Sequence, residues 1–275
     1  MPPSAMAYPG VPSSAPPPLP SERAVRTGHL SGPSAAATLM VVIRMLPEGG
    51  TCAYDRALLL PAMVVYSDGS VLTIRGGGYF CDSPPTILAG WVDPKQVSER
   101  LDTYFASADS YVDMTRAGNT IGIADATTTE LTYITDKESI RRASAYALDI
   151  GEPESDLPPA LVRARAAMRS VTGNLTTMIA GRQRAWTARI LTVVNPEPAP
   201  IATIAPARWP MPVNPALQAV LAGPEGSCTA LSIQESTAVA HLQQNRPSLS
   251  MWTIGGRTRP LALGVVLPGI SPCVS

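Results

Sequence analysis

Asp68, Asp82, Asp93, Asp113 and Asp125 are the side chains here with the most scope for acid–base work. A glycosidase or a calcium site needs at least two carboxylates to converge, which their spacing along the chain leaves open. Asp68, inside Ser67-Asp68-Gly69-Ser70, and Asp93, directly before Pro94, are equally well explained as turn and helix-cap residues. A carboxylate-dependent hydrolase would draw first on Asp68, Asp82 and Asp125. Serine-nucleophile chemistry needs a histidine base, and the histidines are His29, in a Pro-rich leader, and His241, on a short predicted helix with no evident partner. The GxSxG, HExxH, CxxC and HxH spacings are absent, so neither a nucleophile elbow nor a metal site is expected, and no cofactor. Gly76-Gly77-Gly78 runs into Tyr79-Phe80-Cys81-Asp82 instead of a helix bearing a phosphate-binding lysine, which removes the phosphate-loop reading. Tyr79 and Phe80 beside that glycine cluster are the candidate lip of a binding site. A loop tied down by Cys81 explains the same residues without a ligand.

Four cysteines, Cys52, Cys81, Cys228 and Cys273, accompany only two histidines, a balance that favours disulfides over zinc. Three connectivities are possible. The local one, Cys52 with Cys81 and Cys228 with Cys273, is the simplest, and such bonds imply an oxidising compartment.

These residues sit in a chain of 275, long enough for one large or two smaller cores. Charged residues make up 15% and balance at 21 basic against 21 acidic, so there is no field to hold nucleic acid or an anionic membrane surface. No apolar run approaches the roughly 20 residues of a spanning helix, the longest covering residues 35–43. The start of the chain lacks a basic stretch followed by an apolar one, so no secretory signal is read there.

Residues 1–38 are dominated by Pro, Ser and Ala and read as a disordered, Pro-rich leader. An α+β unit over residues 39–150 follows. It opens with a buried strand at 39–45, then a hairpin whose arms at 63–66 and 71–74 are joined by the Asp68-Gly69 turn. A helix begins at Asp93-Pro94-Lys95-Gln96, with Asp93 as cap and with Val97, Leu101 and Phe105 on one face. A second hairpin spans 129–135 and 140–148. Residues 151–215 read as a connector with a helix over 160–179, interrupted at Gly173, and a strand over 187–194. Residues 216–275 form a small disulfide-closed unit with helices at 215–221 and 236–243 and strands at 228–233, 250–254 and 261–267. The expected fold class is α+β: antiparallel hairpins packed on helices, with a smaller C-terminal α/β unit.

Several short stretches recur in order along the chain: Gly49-Gly50, Leu60-Pro61, Val65-Tyr66-Ser67-Asp68-Gly69-Ser70-Val71, Ala124-Asp125-Ala126 with three threonines, and Tyr146-Ala147-Leu148. Trp252, Arg259-Pro260-Leu261, Leu267-Pro268 and Cys273 complete the pattern. Together they resemble a group of exported proteins and lipoproteins of high-GC Gram-positive bacteria that has no assigned biochemical function, with Ser67 replacing the first glycine of a Tyr-Gly-Asp-Gly hairpin. The resemblance implies an extracytoplasmic, secreted or envelope-attached location. The function expected is that of a non-enzymatic envelope protein binding a partner protein, a glycan or a lipid. The alternatives are a carboxylate-dependent hydrolase and a structural subunit of an envelope assembly.

Overall fold

The computed structural model describes residues 32–47, 60–75, 86–114, 126–148, 157–196, 205–243, 249–271 and 273. The Cys52–Cys81 pairing, the Tyr79-Phe80 lip, the triple glycine, Asp82, Asp125 and His29 lie outside these residues.

Seven antiparallel strands form the larger sheet: β1 (Leu39–Pro47), β2 (Met63–Tyr66), β3 (Ser70–Arg75), β4 (Thr86–Trp91), β5 (Thr127–Ile134), β6 (Ile140–Tyr146) and β7 (Ala180–Ala185), in the order β6-β5-β1-β2-β3-β4-β7. The hairpin β2–β3 turns where Gly69 adopts φ +82°, a conformation that costs glycine nothing and other residues strain. Asp68 fastens the turn twice, its Oδ1 accepting from the Ser70 amide and its Oδ2 from the Ser34 amide, each at 2.9 Å. The Thr38 amide also donates to Ser67 Oγ at 3.0 Å. The sequence places residues 32–38 in the leader, but these bonds seat them against the hairpin, a tertiary contact that composition does not report.

Alternation sorts β2 and β3 onto two faces, and both faces are buried. Met63, Val65 and Val71 point to the side covered by helices α1 (Pro94–Ala106) and α2 (Pro159–Thr177). The cap of α1 is the one the sequence predicts, with Asp93 Oδ1 accepting from the Lys95 amide at 3.0 Å, and Val97, Leu101 and Phe105 are buried as expected. Helix α2 docks through Met168, Val171 and Leu175 and through Arg165, which is wholly buried. The Arg165 guanidinium donates to the carbonyls of Tyr146, at 2.6 Å, and Ala147, at 2.7 Å, where β6 ends in a left-handed residue with Ala147 at φ +50°. Gly173 does not interrupt α2, because neighbouring turns are held by packing and a lone glycine costs a helix only about 1 kcal/mol.

Val64, Tyr66 and Leu72 face the opposite way, and residues from near the far end of the chain cover them. Leu267 is fully buried there, Val265 and Ile270 pack beside it, and the Tyr66 hydroxyl donates to the Pro268 carbonyl at 3.0 Å.

The smaller sheet contains β8 (Leu191–Val194), β9 (Ala207–Arg208), β10 (Cys228–Ala230), β11 (Leu249–Ile254) and β12 (Arg257–Val265), in the order β10-β8-β12-β11-β9, with β9 and β11 parallel. Trp209 and Trp252 meet edge to face in its core, ring centres 5.3 Å apart. Two helices flank it, α3 (Pro215–Ala222) and α4 (Ile233–Gln243). The Cys228–Cys273 disulfide forms as expected, with Cα atoms 5.8 Å apart.

Several boundaries differ from those predicted, two of them with a clear physical reason. The strand expected over 187–194 is confined to β8 (Leu191–Val194), which pairs with β12 and β10, and an unanticipated strand, β7, precedes it and pairs with β4 in the larger sheet. The Arg-rich β7 lies at the sheet's edge, where pairing on one side suffices and alternation is weak. Helix α4 starts three residues early, because Ser232 and Glu235 form a reciprocal capping box: the Ser232 amide donates to Glu235 Oε2 at 3.0 Å and the Glu235 amide to Ser232 Oγ at 3.2 Å.

A Cβ on Gly69 would collide with Trp91 Nε1 and the Val92 carbonyl as well as straining the turn. Gly69→Val is therefore expected to lower stability by about 2 kcal/mol or more. An unchanged urea midpoint would contradict this account of the turn.

Candidate functional site

On the helix-covered face the apolar rows of the larger sheet run out toward one end. Facing positions read Val71, Thr73, Arg75 along β3, then Val41, Ile43, Met45 along β1, and Tyr133, Leu131, Thr129 along β5. Above that end, α2 no longer presents Met168 and Val171 but Arg169, Thr172, Gly173 and Thr176, a stripe at helical spacing. Between them lies an open cleft of about 650 Å³, within the usual range for small-molecule sites.

Space for it comes from missing side chains. Gly173 is exposed and a Cβ built on it would meet nothing within 4 Å, so this position borders the cleft with open space around it. Gly90, in β4, leaves room for Ile179, whose Cγ2 would lie 2.7 Å from a Cβ at that position. This close approach brings Gln183 across β3.

The polar groups of the cleft have a consistent direction. Arg75 Nη2 donates to Gln183 Oε1 at 3.3 Å, and Gln183 Nε2 donates to Thr73 Oγ1 at 2.9 Å. Thr73, having accepted, keeps its own proton to give. At the other end Arg169 is fixed by Nε donating to the Leu148 carbonyl at 2.9 Å. Thr129, 4% exposed, has a buried Oγ1 with no hydrogen-bond partner among the described residues. Thr172 and Thr176 spend their protons on their own helix, on the carbonyls of Met168 at 2.9 Å and Thr172 at 3.3 Å. The described lining thus combines donors and aliphatic surface and includes no carboxylate, imidazole or thiol.

The residues singled out from sequence lie elsewhere. Asp68 is at the turn end of the β2–β3 hairpin, away from Thr73 and Arg75. Burial would raise its pKa, but the backbone and side-chain hydrogen bonds from Ser34 and Ser70 outweigh that and hold the carboxyl below its ordinary value. Asp93 caps α1, and His241 is exposed on α4. No group of three His, Cys, Asp or Glu side chains suited to a metal ion occurs among the described residues. Thr73, Thr129, Arg169, Gly173 and Gln183 were not anticipated. The available signal was the change from apolar to polar along one face of β3 and β5, together with a glycine inside a helix.

Compared with known protein families, with curated proteins and with solved structures, the chain finds no match.

Two outcomes follow from this geometry. Thr129→Val keeps the shape and removes a buried hydroxyl that lacks a partner, so the unliganded protein should gain about 1 kcal/mol in chemical denaturation; a comparable loss would show that the hydroxyl is bonded. The folded Asp68 has a depressed pKa, so its contribution is complete above about pH 4 and disappears as pH falls through the folded value. The stability gap between the protein and Asp68→Ala should accordingly shrink from pH 5 toward pH 2, while a gap that does not vary with pH would place the turn's stability in other groups.

Proposed function

We propose that this is a non-enzymatic ligand-binding protein of the cell envelope, with its site in the cleft between α2 and strands β1, β2, β3 and β5. The observation that carries the reading is the Thr129 hydroxyl, buried at one end of an open cleft with no hydrogen-bond partner among the described residues. Such a group costs on the order of 1–3 kcal/mol, and a bound acceptor or donor would offset that cost. The remaining described lining is suited to holding a molecule and includes no acid–base pair for transforming one. The hydrolase alternative loses support at Asp68, whose carboxylate oxygens are both engaged by backbone amides and whose low pKa makes it a poor proton donor. Location outside the cytoplasm is supported by the Cys228–Cys273 disulfide, since such bonds persist in oxidising compartments, and by the resemblance of the Tyr66-Ser67-Asp68-Gly69 hairpin to that of exported proteins. No helix among the described residues is long and apolar enough to cross a membrane.

Gly173→Leu tests the site. Gly173 lines the cleft at an exposed position with free space, so a leucine there should leave the thermal midpoint unchanged while crowding the cleft and removing binding. Ligand-observed NMR against amphiphiles, peptides and oligosaccharides should show one class that binds the protein but not the variant. Conversion of a bound compound to product, binding that survives in Gly173→Leu, or no binding in any class would overturn the proposal.

A further inference from the structure

Resting on that binding reading, we infer that the ligand is an extended molecule with an aliphatic middle and an acidic group at each end, a long-chain α,ω-dicarboxylate in its simplest form. Strand order and register carry the inference. Thr129 on β5 and the Arg75–Gln183–Thr73 chain on β3 stand at opposite ends of the cleft, because β1 and β2 lie between them. Three interstrand steps separate them, on the order of 14 Å. One compact anion cannot touch both.

Each end offers donors to an acceptor. At the β3 end Thr73 has its hydroxyl proton available and Arg75 supplies positive charge. At the β5 end the Thr129 hydroxyl is joined by Arg169, which lines the same cleft. The floor between is Ile43 and Met63, both buried, and Met45, which is 39% exposed. A large apolar side chain half open to water in the middle of a cleft gains from being covered, and methionine adapts to a flexible chain. Gly173, exposed and with open space around it, borders the cleft beside this floor. Charge, apolar surface and length therefore agree on one ligand shape: a span of roughly ten methylenes between two carboxylates.

Isothermal titration of the full chain with dodecanedioate, dodecanoate and succinate separates the components. Dodecanedioate should bind at least about tenfold more tightly than dodecanoate, the equivalent of one charge-assisted contact, and succinate, which has both acids but no span, should not bind. Arg75→Gln and Thr129→Val, each altering one end, should each weaken dodecanedioate at least about fivefold, and Gly173→Leu should abolish binding. Equal affinity for dodecanedioate and dodecanoate, or dodecanedioate affinity unchanged in both end variants, would overturn the two-ended ligand. If no acid binds but a peptide or oligosaccharide does so in a Gly173-sensitive way, this proposal fails and the binding reading stands. If dodecanedioate binds equally well to Gly173→Leu, the cleft itself is the wrong site.

Discussion

Both faces of the β2–β3 hairpin have to be kept from water, and most of the architecture answers that requirement. Strands rich in Val, Leu, Ile and Met on successive positions cannot present one face to solvent, so a sheet built from them needs a layer on each side. Helices α1 and α2 supply the first layer. The second is the stretch around Leu267, together with Leu39 and Trp186. The C-terminal sheet is therefore tied to the larger one: its strand β12 delivers Val265 and Leu267 to the hairpin, and the Tyr66 hydroxyl marks the junction. Burial on this side pushes the Tyr66 phenol well above its ordinary pKa, with the charge of Asp68 adding to the effect.

The cleft is the place where this burial is left incomplete. The rows that fill the core at Val71, Ile43 and Leu131 end in Arg75, Met45 and Thr129. Exchanging those three residues for larger apolar ones would extend the core to the end of the sheet by ordinary packing rules. Retaining a glycine in mid-helix and an unbonded buried hydroxyl forgoes stability at two neighbouring points. Natural proteins depart from packing rules in this way mostly where the surface is used.

Much of the fold was legible because local signals agreed with the global ones. The Asp68-Gly69 turn, the Asp93 cap with its Val97, Leu101, Phe105 face and the hairpin of β5 and β6 each combine a periodicity with a specific breaker. Strands β4, β7 and β9 were missed, since each depends on partners distant in sequence and one lies among arginines at an edge. The cleft was illegible for a different reason. Its hydroxyls belong to threonines that look like ordinary strand residues, and what distinguishes Thr129 is a buried hydroxyl with no partner among the described residues at the edge of a cleft. Gly173 was visible but was read as a helix break, because sequence shows the weakness a glycine causes and not the space it leaves. Asp68 drew notice for its chemistry, whereas its two carboxylate oxygens serve the backbone of residues 34 and 70.

The cover over Val64, Tyr66 and Leu72 also sets an order of events during synthesis. Tyr66 and its acceptor on Pro268 are 202 positions apart, so the hairpin is made long before the segment that shields its second face. A ribosome adding about 5–20 residues each second needs some 10–40 s to reach that segment, whereas a hairpin closes in microseconds. Through that interval strands of the larger sheet can pair while the side carrying Val64, Tyr66 and Leu72 stays bare. Completion of the fold thus waits on residues 265–270, about 200 positions after the hairpin they cover.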